Sequence, residues 1–149
     1  IWTYDDVTCT ITISGTGDMT GYKYNNRPWE THEDKIKTVV INDGVTKIGN
    51  YAFYSCGSLA SITIPDSVTT ISTFAFFGCK SLTEFEIGNN VSSIGANAFS
   101  GCSGLENITI KKNVKYGKGC FGRHDIKKII VEDGVEVFSS VLLHESARI

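Results

Sequence analysis

The chain has 149 residues, of which 41% are hydrophobic, 11% aromatic and 20% charged, a composition typical of a folded domain with a sizeable core. Its 14 basic and 16 acidic residues are scattered and give a formal net charge of -2, so no basic stripe is available for nucleic acid. No apolar run reaches the roughly 20 residues that a membrane-spanning helix requires, so we expect no membrane insertion.

The first 35 residues follow a pattern of their own. Trp2 and Tyr4 alternate with polar residues, and so do Ile11 and Ile13, which predicts two short strands of a hairpin. An atypical end segment is expected before a repeat array, because the first repeat would otherwise expose its apolar edge to water. We therefore predict that residues 1–35 form an amino-terminal β-hairpin cap.

The sequence after position 35 repeats with a period of 23 residues. The recurring positions are Ala52-Phe53, Ala75-Phe76 and Ala98-Phe99; Cys56, Cys79 and Cys102; and Leu59, Leu82 and Leu105. Segments of the form apolar-x-x-apolar-x-apolar share this register: Ile36–Ile41, Leu59–Ile64, Leu82–Ile87, Leu105–Ile110 and Ile126–Val131. Only the last segment arrives early, after 21 residues, so the fourth coil is shortened.

Each coil is predicted to contain two short extended pieces. Alternation in the apolar segment predicts a strand with one buried face, and turn-forming pairs such as Asp43-Gly44 follow it. A Val-x-x-Ile piece comes next, as in Val45 to Ile48, and the Ala-Phe pair then lies on a compact turn or a single helical turn. One coil cannot bury its own apolar face, so the coils are expected to stack.

The pattern Leu-x-x-Ile-x-Ile-Pro-x-x-Val-x-x-Ile-x-x-x-Ala-Phe-x-x-Cys, complete from Leu59 to Cys79, resembles the BspA-type leucine-rich repeat. The segment from Ile11 to Met19, with Pro28-Trp29 after it, is similar to the segment that often precedes these repeats. We therefore predict a leucine-rich-repeat solenoid over residues 36–149, mainly β with short helical or 3-10 turns, in right-handed coils with parallel strands and five strand copies. The resemblance implies a cell-surface or secreted protein that adheres to host proteins or other cells without catalysis.

Both ends of the chain carry expectations. Because the sequence opens at Ile1-Trp2 inside a strand pattern, we expect a processed or shortened chain. Val135, Phe138 and Leu142-Leu143 fit a further coil, and Ile149 falls 23 residues after Ile126. We therefore expect either that the natural protein continues beyond Ile149 or that the open edge there pairs with a second copy and forms a homodimer.

Two kinds of residue that often carry chemistry are interpreted as structural. Cys56, Cys79 and Cys102 share one column, so they are expected to fill a small apolar position in each coil rather than to form disulfides. The sequence has no Cys-x-x-Cys pair, which argues against a zinc site. The histidines, His32, His124 and His144, are expected at the surface, and no cofactor or metal is predicted. In the fourth coil Gly117 stands where Ile is expected and Cys120-Phe121 takes the Ala-Phe position.

Outward positions of the predicted strands form a surface that we call the strand face. Its candidate partner-binding residues are Thr38, Ser61, Thr63, Glu84, Glu86, Asn107, Thr109 and Lys128. This surface is mostly small and polar and lacks the aromatic and arginine anchors of binding hot spots. Glu84 and Glu86 would lie about 6.8 Å apart on one strand, within the range of paired glycosidase carboxylates. Neighbours on one strand do not flank a cleft, however, and this disfavours catalysis.

Three functions remain open from the sequence. The favoured one is a non-enzymatic adhesion module that captures a protein or glycan on the strand face. The alternatives are a solenoid enzyme that acts on polysaccharide, and a spacer between other domains. Asn90 and Asn107 each match the N-glycosylation motif, and a glycan on Asn107 would block the strand face.

Overall fold

A computed structural model describes residues 1–122 and 126–135 of the chain. These residues form short strands and one 3-10 helix, Glu30–His32. The strands are β1 (Trp2–Asp5), β2 (Thr10–Ile13), β3 (Gly17–Asp18), β4 (Thr38–Ile41), β5 (Val45–Ile48), β6 (Ser61–Thr63), β7 (Thr70–Ile71), β8 (Ser93–Ile94), β9 (Asn107–Ile110), β10 (Lys115–Tyr116) and β11 (Lys128–Val131). The predicted Phe138, Leu142-Leu143 coil positions and the edge at Ile149 lie outside the described residues.

Parallel pairing joins equivalent segments of successive coils. One sheet has the order β1-β2-β4-β6, a second has the order β10-β8-β7-β5-β3, and β9 pairs with β11. Within the first sheet, β1 and β2 form an antiparallel hairpin, and β2 then pairs in parallel with β4. The hairpin therefore supplies the first strand of the array, which covers the edge that the first repeat would expose.

The third copy, Leu82–Ile87, does not form the strand that the repeat predicts. Across the described residues, no backbone hydrogen bond joins positions 83–87 to the coil on either side. Phe85 stands at the inward position that Ile108 fills one coil later, and its ring packs on Phe99 with centroids 4.1 Å apart. Because a phenylalanine ring needs more room than isoleucine in a packed interior, it keeps the backbone of this segment from pairing, although Leu82 and Ile87 stay buried in their columns. Strand pairing is therefore interrupted between β6 and β9.

The fourth coil also departs from the expected register. Tyr116, not Gly117, pairs with Ile94, a spacing of 22 residues, whereas Asn107 pairs with Lys128 at a spacing of 21. One of the two missing residues is therefore lost before Tyr116 and the other after it. The Tyr116 hydroxyl accepts a hydrogen bond from the backbone N–H of Lys111 at 2.8 Å. The tyrosine therefore replaces the usual isoleucine and ties down the turn that precedes it.

The core consists of columns that run from coil to coil. Its largest column begins at Trp29 and continues through phenylalanines whose rings stack at centroid distances of 5.6, 5.4, 5.2 and 5.9 Å. The members are Trp29, Phe53, Phe76, Phe99 and Phe121, each at most 1% exposed. The Trp29 indole N–H donates to the carbonyl of Ala52 at 2.9 Å, which satisfies its only polar atom.

Candidate functional site

The first part of the strand face lies on the four-stranded sheet. Ser61 pairs with Thr38, and Thr63 pairs with Val40, so these side chains form two adjacent rows. Ser61 and Thr63 are exposed, whereas Thr38 is half-buried. The structure therefore brings three of the predicted site residues together on β4 and β6.

The second part lies on the separate two-stranded sheet. Asn107 pairs with Lys128, and Thr109 pairs with Ile130. Asn107 and Lys128 are exposed, and Ile130 is 45% exposed, which adds an apolar group to an otherwise polar surface. Between the two parts, Glu84 and Glu86 are exposed on the segment that forms no strand.

Among the described residues, the polar groups of the strand-face side chains are not used in holding the fold together. Within residues 1–122 and 126–135, none of the eight has a side-chain hydrogen bond or ion pair. Elsewhere on the surface, comparable hydroxyls bond the coil before them: Ser58 donates to the carbonyl of Asp34 at 2.7 Å, and Ser81 to that of Gly57 at 2.7 Å. The strand face thus differs from these positions in leaving its donors and acceptors available to a partner.

A cleft of about 280 Å³ lies where strand pairing is interrupted. Thr63, Asp66, Glu86 and Asn89 are among the residues that line it, together with the apolar side chains of Ile62 and Ile64. The Asn89 amide donates to an Asp66 carboxylate oxygen at 3.4 Å. The cleft therefore offers carboxylate, amide and hydroxyl groups to a ligand from two successive coils.

The cysteines have the environment of core residues. All five are free thiols, and the Cys56, Cys79, Cys102 and Cys120 side chains are buried. Burial raises the pKa of Cys56 and of Cys120 to about 12 and also raises the pKa of Cys79. The thiols of Cys79 and Cys102 donate to phenylalanine carbonyls of the preceding coil at 3.2 and 3.1 Å. With their pKa values raised, the thiols of Cys56, Cys79 and Cys120 stay protonated at neutral pH, so they are poor nucleophiles and poor metal ligands.

The structure places His32 against the aromatic side chains of the cap. Its ring centroid lies 4.3 Å from that of Tyr4 and 6.2 Å from that of Trp2. His124 and His144 lie outside the described residues. In the part of the chain that the structure describes, no three His, Cys, Asp or Glu side chains are grouped so as to hold a metal ion. The same part contains no helix with the length and apolar character needed to cross a membrane.

One surface feature is absent from the sequence prediction. Five half-buried or exposed rings form a group that we call the aromatic cluster. Four lie on the turns that carry the first two Ala-Phe pairs, and the fifth, Tyr24, lies in the amino-terminal segment; the four are Tyr51, Tyr54, Phe74 and Phe77. Tyr51 stacks on Phe74 at 5.1 Å and Tyr54 on Phe77 at 5.0 Å, with interplanar angles of 13° and 8°. Tyr24 is 61% exposed, and its ring centroid lies 6.4 Å from that of Tyr54. The cluster thus supplies anchors that the strand face lacks.

Arg27 supports this cluster from beneath. Its side chain is 1% exposed, forms an ion pair with Glu33, and donates to the carbonyls of Tyr24 at 2.9 Å and Tyr51 at 3.4 Å. The guanidinium carbon lies 6.0 Å from the centroid of the Tyr54 ring. A signal for the cluster exists in the sequence: both Ala-Phe pairs of the first two coils are flanked by aromatic residues, as Tyr-Ala-Phe-Tyr and Phe-Ala-Phe-Phe.

Parallel strands, very little helix and recurring leucine and phenylalanine columns define a leucine-rich-repeat protein. The family model described as the BspA type leucine rich repeat region matches residues 31–148 in six copies, so the chain belongs to this family. The resemblance noted in the sequence is thereby confirmed. Proteins of this family are typically extracellular or associated with the cell surface.

Solved structures of several bacterial proteins share the fold of this chain. A leucine-rich repeat protein from Eubacterium ventriosum is 29% identical, with a TM-score of 0.74 over 89% of this chain and 41% of that one. Leucine-rich repeat proteins from Bacteroides ovatus and T. pallidum are each 23% identical, with TM-scores of 0.64 and 0.61. These matches cover 89% and 81% of this chain, and 40% and 63% of the respective relatives. The chain therefore spans between about two fifths and two thirds of the length of these relatives. No curated protein gives a match.

Proposed function

We propose that the chain is a non-enzymatic adhesion module, secreted or displayed at the cell surface, that captures a protein or glycan partner on the strand face. In this proposal the coils form a right-handed solenoid that holds the face in a fixed arrangement. A backbone that already fixes the spacing of its side chains loses less conformational entropy on binding than a mobile loop. The observation that carries the proposal is that all eight predicted residues lack internal partners among the described residues.

The chemistry of the face indicates what a partner must present. Ser61, Thr63 and Asn107 supply neutral donors and acceptors, so a partner needs hydrogen-bonding groups at matching spacing. Glu84 and Glu86 add two negative charges beside the cleft, which favour a basic group of the partner. An interaction of this kind is expected to be specific in geometry and modest in strength, because exposed charges are screened by solvent and salt.

The test removes the charges of the face and leaves its shape unchanged. We expect the combined variant Glu84→Gln, Glu86→Gln, Lys128→Met, coupled to beads, to capture cultured epithelial cells at least about tenfold less than the original protein. Its melting temperature should hardly change, since exposed substitutions without internal partners usually alter stability by less than about 0.5 kcal/mol. Raising the salt concentration should weaken capture by the original protein more than capture by the variant.

A matched control uses hydroxyls that serve the fold instead of the face. The double variant Ser58→Ala, Ser81→Ala should melt at a lower temperature, because both hydroxyls bond the preceding coil, yet capture cells normally below that temperature. Unchanged capture by the charge variant would reject the strand face. Release of reducing ends from a polysaccharide by the original protein would favour the enzyme alternative, and no capture at all would favour a spacer.

A further inference from the structure

Two surface columns change character after the second coil. Backbone hydrogen bonds between Ala-Phe segments fix the alignment of the coils: Phe53 to Ala75, Phe76 to Ala98, and Phe99 to Cys120, at 2.7, 2.8 and 2.6 Å. The residues just before each pair form the column Tyr51, Phe74, Asn97 and Gly119, and the residues just after it form the column Tyr54, Phe77, Ser100 and Gly122. Both columns are therefore aromatic in the first two coils and small in the next two.

The backbone of the first column does not favour aromatic residues. Tyr51, Phe74, Asn97 and Gly119 have φ angles of 56°, 56°, 54° and 62°. This left-handed region suits glycine and asparagine, and bulky side chains are rarely found there. Coils three and four carry the residues that the conformation prefers, whereas coils one and two carry rings at a cost in stability. Strained positions of this kind are frequent at functional sites, so the rings require an explanation beyond the fold.

The two aromatic stacks end where a further ring could lie. The buried column continues unbroken, with Phe76 stacked on Phe99 at 5.2 Å and Phe99 on Phe121 at 5.9 Å. On the surface, the ring positions after Phe74 and Phe77 are taken by Asn97 and Ser100, whose side chains are too small to cover a ring face. We call the step formed by Phe74, Phe77, Asn97 and Ser100 the aromatic ledge.

The small residues of the ledge offer free polar groups beside the ring faces. Among the described residues, neither the Asn97 amide nor the Ser100 hydroxyl has a hydrogen-bond partner. The terminal carbon of the Phe77 ring lies 4.0 Å from where a Gly101 Cβ would be. A Cβ on Gly122 would lie 2.3 Å from the Ser100 Oγ, so only glycine lets coil four pack this closely against Ser100. The ledge thus combines flat apolar faces with one amide and one hydroxyl.

We propose that the aromatic ledge binds one sugar ring of an uncharged glycan. A pyranose has a face of C–H groups, which the negative face of an aromatic ring attracts, and a rim of hydroxyls that both donate and accept hydrogen bonds. The C–H face stacks on Phe77 in the place of a third ring, the Phe74 ring borders it at an interplanar angle of 64° to Phe77, and the hydroxyls meet Asn97 and Ser100. The site is separate from the strand face, so it goes beyond the function proposed above.

The ledge fits an uncharged sugar better than an aromatic side chain or an acidic glycan. An aromatic side chain has at most one hydrogen-bonding atom, so it would leave the amide or the hydroxyl covered and unpaired, and buried polar groups left unpaired oppose binding. The two columns contain no charged residue. The nearest buried cation, Arg27, is already paired with Glu33 and therefore is not available to an acidic sugar.

The test uses a panel of defined probes and two variants that follow the columns. The probes are soluble mannan, dextran, laminarin and chitohexaose, with hyaluronan as the acidic glycan and N-acetyltryptophanamide as the aromatic side chain. Ser100→Tyr places a ring on the ledge in the same column as Tyr54 and Phe77, and should block it. Phe77→Ser gives coil two the residue that coil three already tolerates, and removes a ring face. Saturation-transfer NMR detects binding, and amide shifts locate it.

We expect at least one neutral glycan to bind, to receive saturation from ring protons, and to shift amides of residues 73–78 and 96–101. Both variants should weaken this binding about tenfold or more while keeping the original far-ultraviolet circular dichroism spectrum. The charge variant of the strand face should bind the same glycan normally, which separates this proposal from the previous one. The proposal is overturned if no neutral glycan binds, if Ser100→Tyr binds as well as the original protein, or if only hyaluronan or N-acetyltryptophanamide binds.

Discussion

Replacing Phe76 with alanine tests whether the stacked phenylalanine column is the main source of stability. Phe76 is 0% exposed, and its ring lies between those of Phe53 and Phe99, at 5.4 and 5.2 Å. Removing the ring leaves a cavity that neighbouring coils cannot close without shifting, and such changes typically cost about 3–5 kcal/mol. Two stacked contacts are lost as well, each worth about 0.5–1.5 kcal/mol beyond the buried area. The range for such truncations already includes lost ring contacts, so the two stacked neighbours place the expected loss at its upper end, about 4–5 kcal/mol.

The neighbouring residue provides a matched control. Phe77 has the same side chain and lies one position further along the chain, but it is half-buried and has a single parallel stacked neighbour, Tyr54, at 5.0 Å. Phe77→Ala creates no enclosed cavity, so we expect it to cost no more than about 1–2 kcal/mol. The difference between the two variants isolates the effect of enclosure from the effect of losing a ring.

Urea unfolding followed by circular dichroism measures both variants. For a domain of this size, a loss of about 4–5 kcal/mol is a large part of the total and should lower the melting temperature by about 10–20 °C. The urea slope should stay constant if the chain still unfolds as one unit; a smaller slope would mean that coils on the two sides of position 76 unfold separately. A loss below about 2 kcal/mol, or a loss equal to that of Phe77→Ala, would refute the argument from the column.

Two further predictions concern buried polar atoms. The Ser72 hydroxyl is buried and has no hydrogen-bond partner among the described residues. Ser72→Ala should therefore raise the free energy of unfolding by about 1 kcal/mol in the same urea assay. A decrease would show that the hydroxyl forms a hydrogen bond in solution. Burial raises the pKa of Cys56 from 9.0 to about 12, so the folded state keeps its thiol neutral while the unfolded state ionises. The stability from this thiol is therefore full below about pH 9 and is lost as the pH rises toward 12. The urea concentration at the unfolding midpoint should decrease as the pH is raised from 8 to 10.5, and Cys56→Ala should make this decrease smaller. An equal decrease in the variant would contradict the raised pKa of Cys56.

The repeated core could be predicted from the sequence because each column is set by one physical requirement. Phe53, Phe76 and Phe99 recur in register, and their stacking follows once equivalent segments lie side by side. The cysteine column could be interpreted in the same way, since a shared position demands a small apolar group in every coil. Family membership rests on these same columns, and the family model confirms it.

Local departures could not be predicted, because the pattern treats all apolar residues as equal. Phe85 satisfies the pattern but is too large for its position, and strand pairing fails around it. Extrapolation at a fixed period likewise assigned the fourth-coil position to Gly117, whereas the structure fills it with Tyr116. Where a coil is shortened, the register depends on where the residues are lost, and only packing decides that.

The aromatic cluster was missed for a different reason. Rings beside an Ala-Phe pair look like further core residues, and only the backbone shows that Tyr51 and Phe74 occupy left-handed positions that Asn97 fills without strain one coil later. Positions at which every coil carries the same type of residue indicate what the fold requires. At other positions the residue type suits the backbone conformation in some coils and not in others, so a requirement besides folding must account for the unsuited residues. Here those residues are exposed rings, which point to binding at the surface.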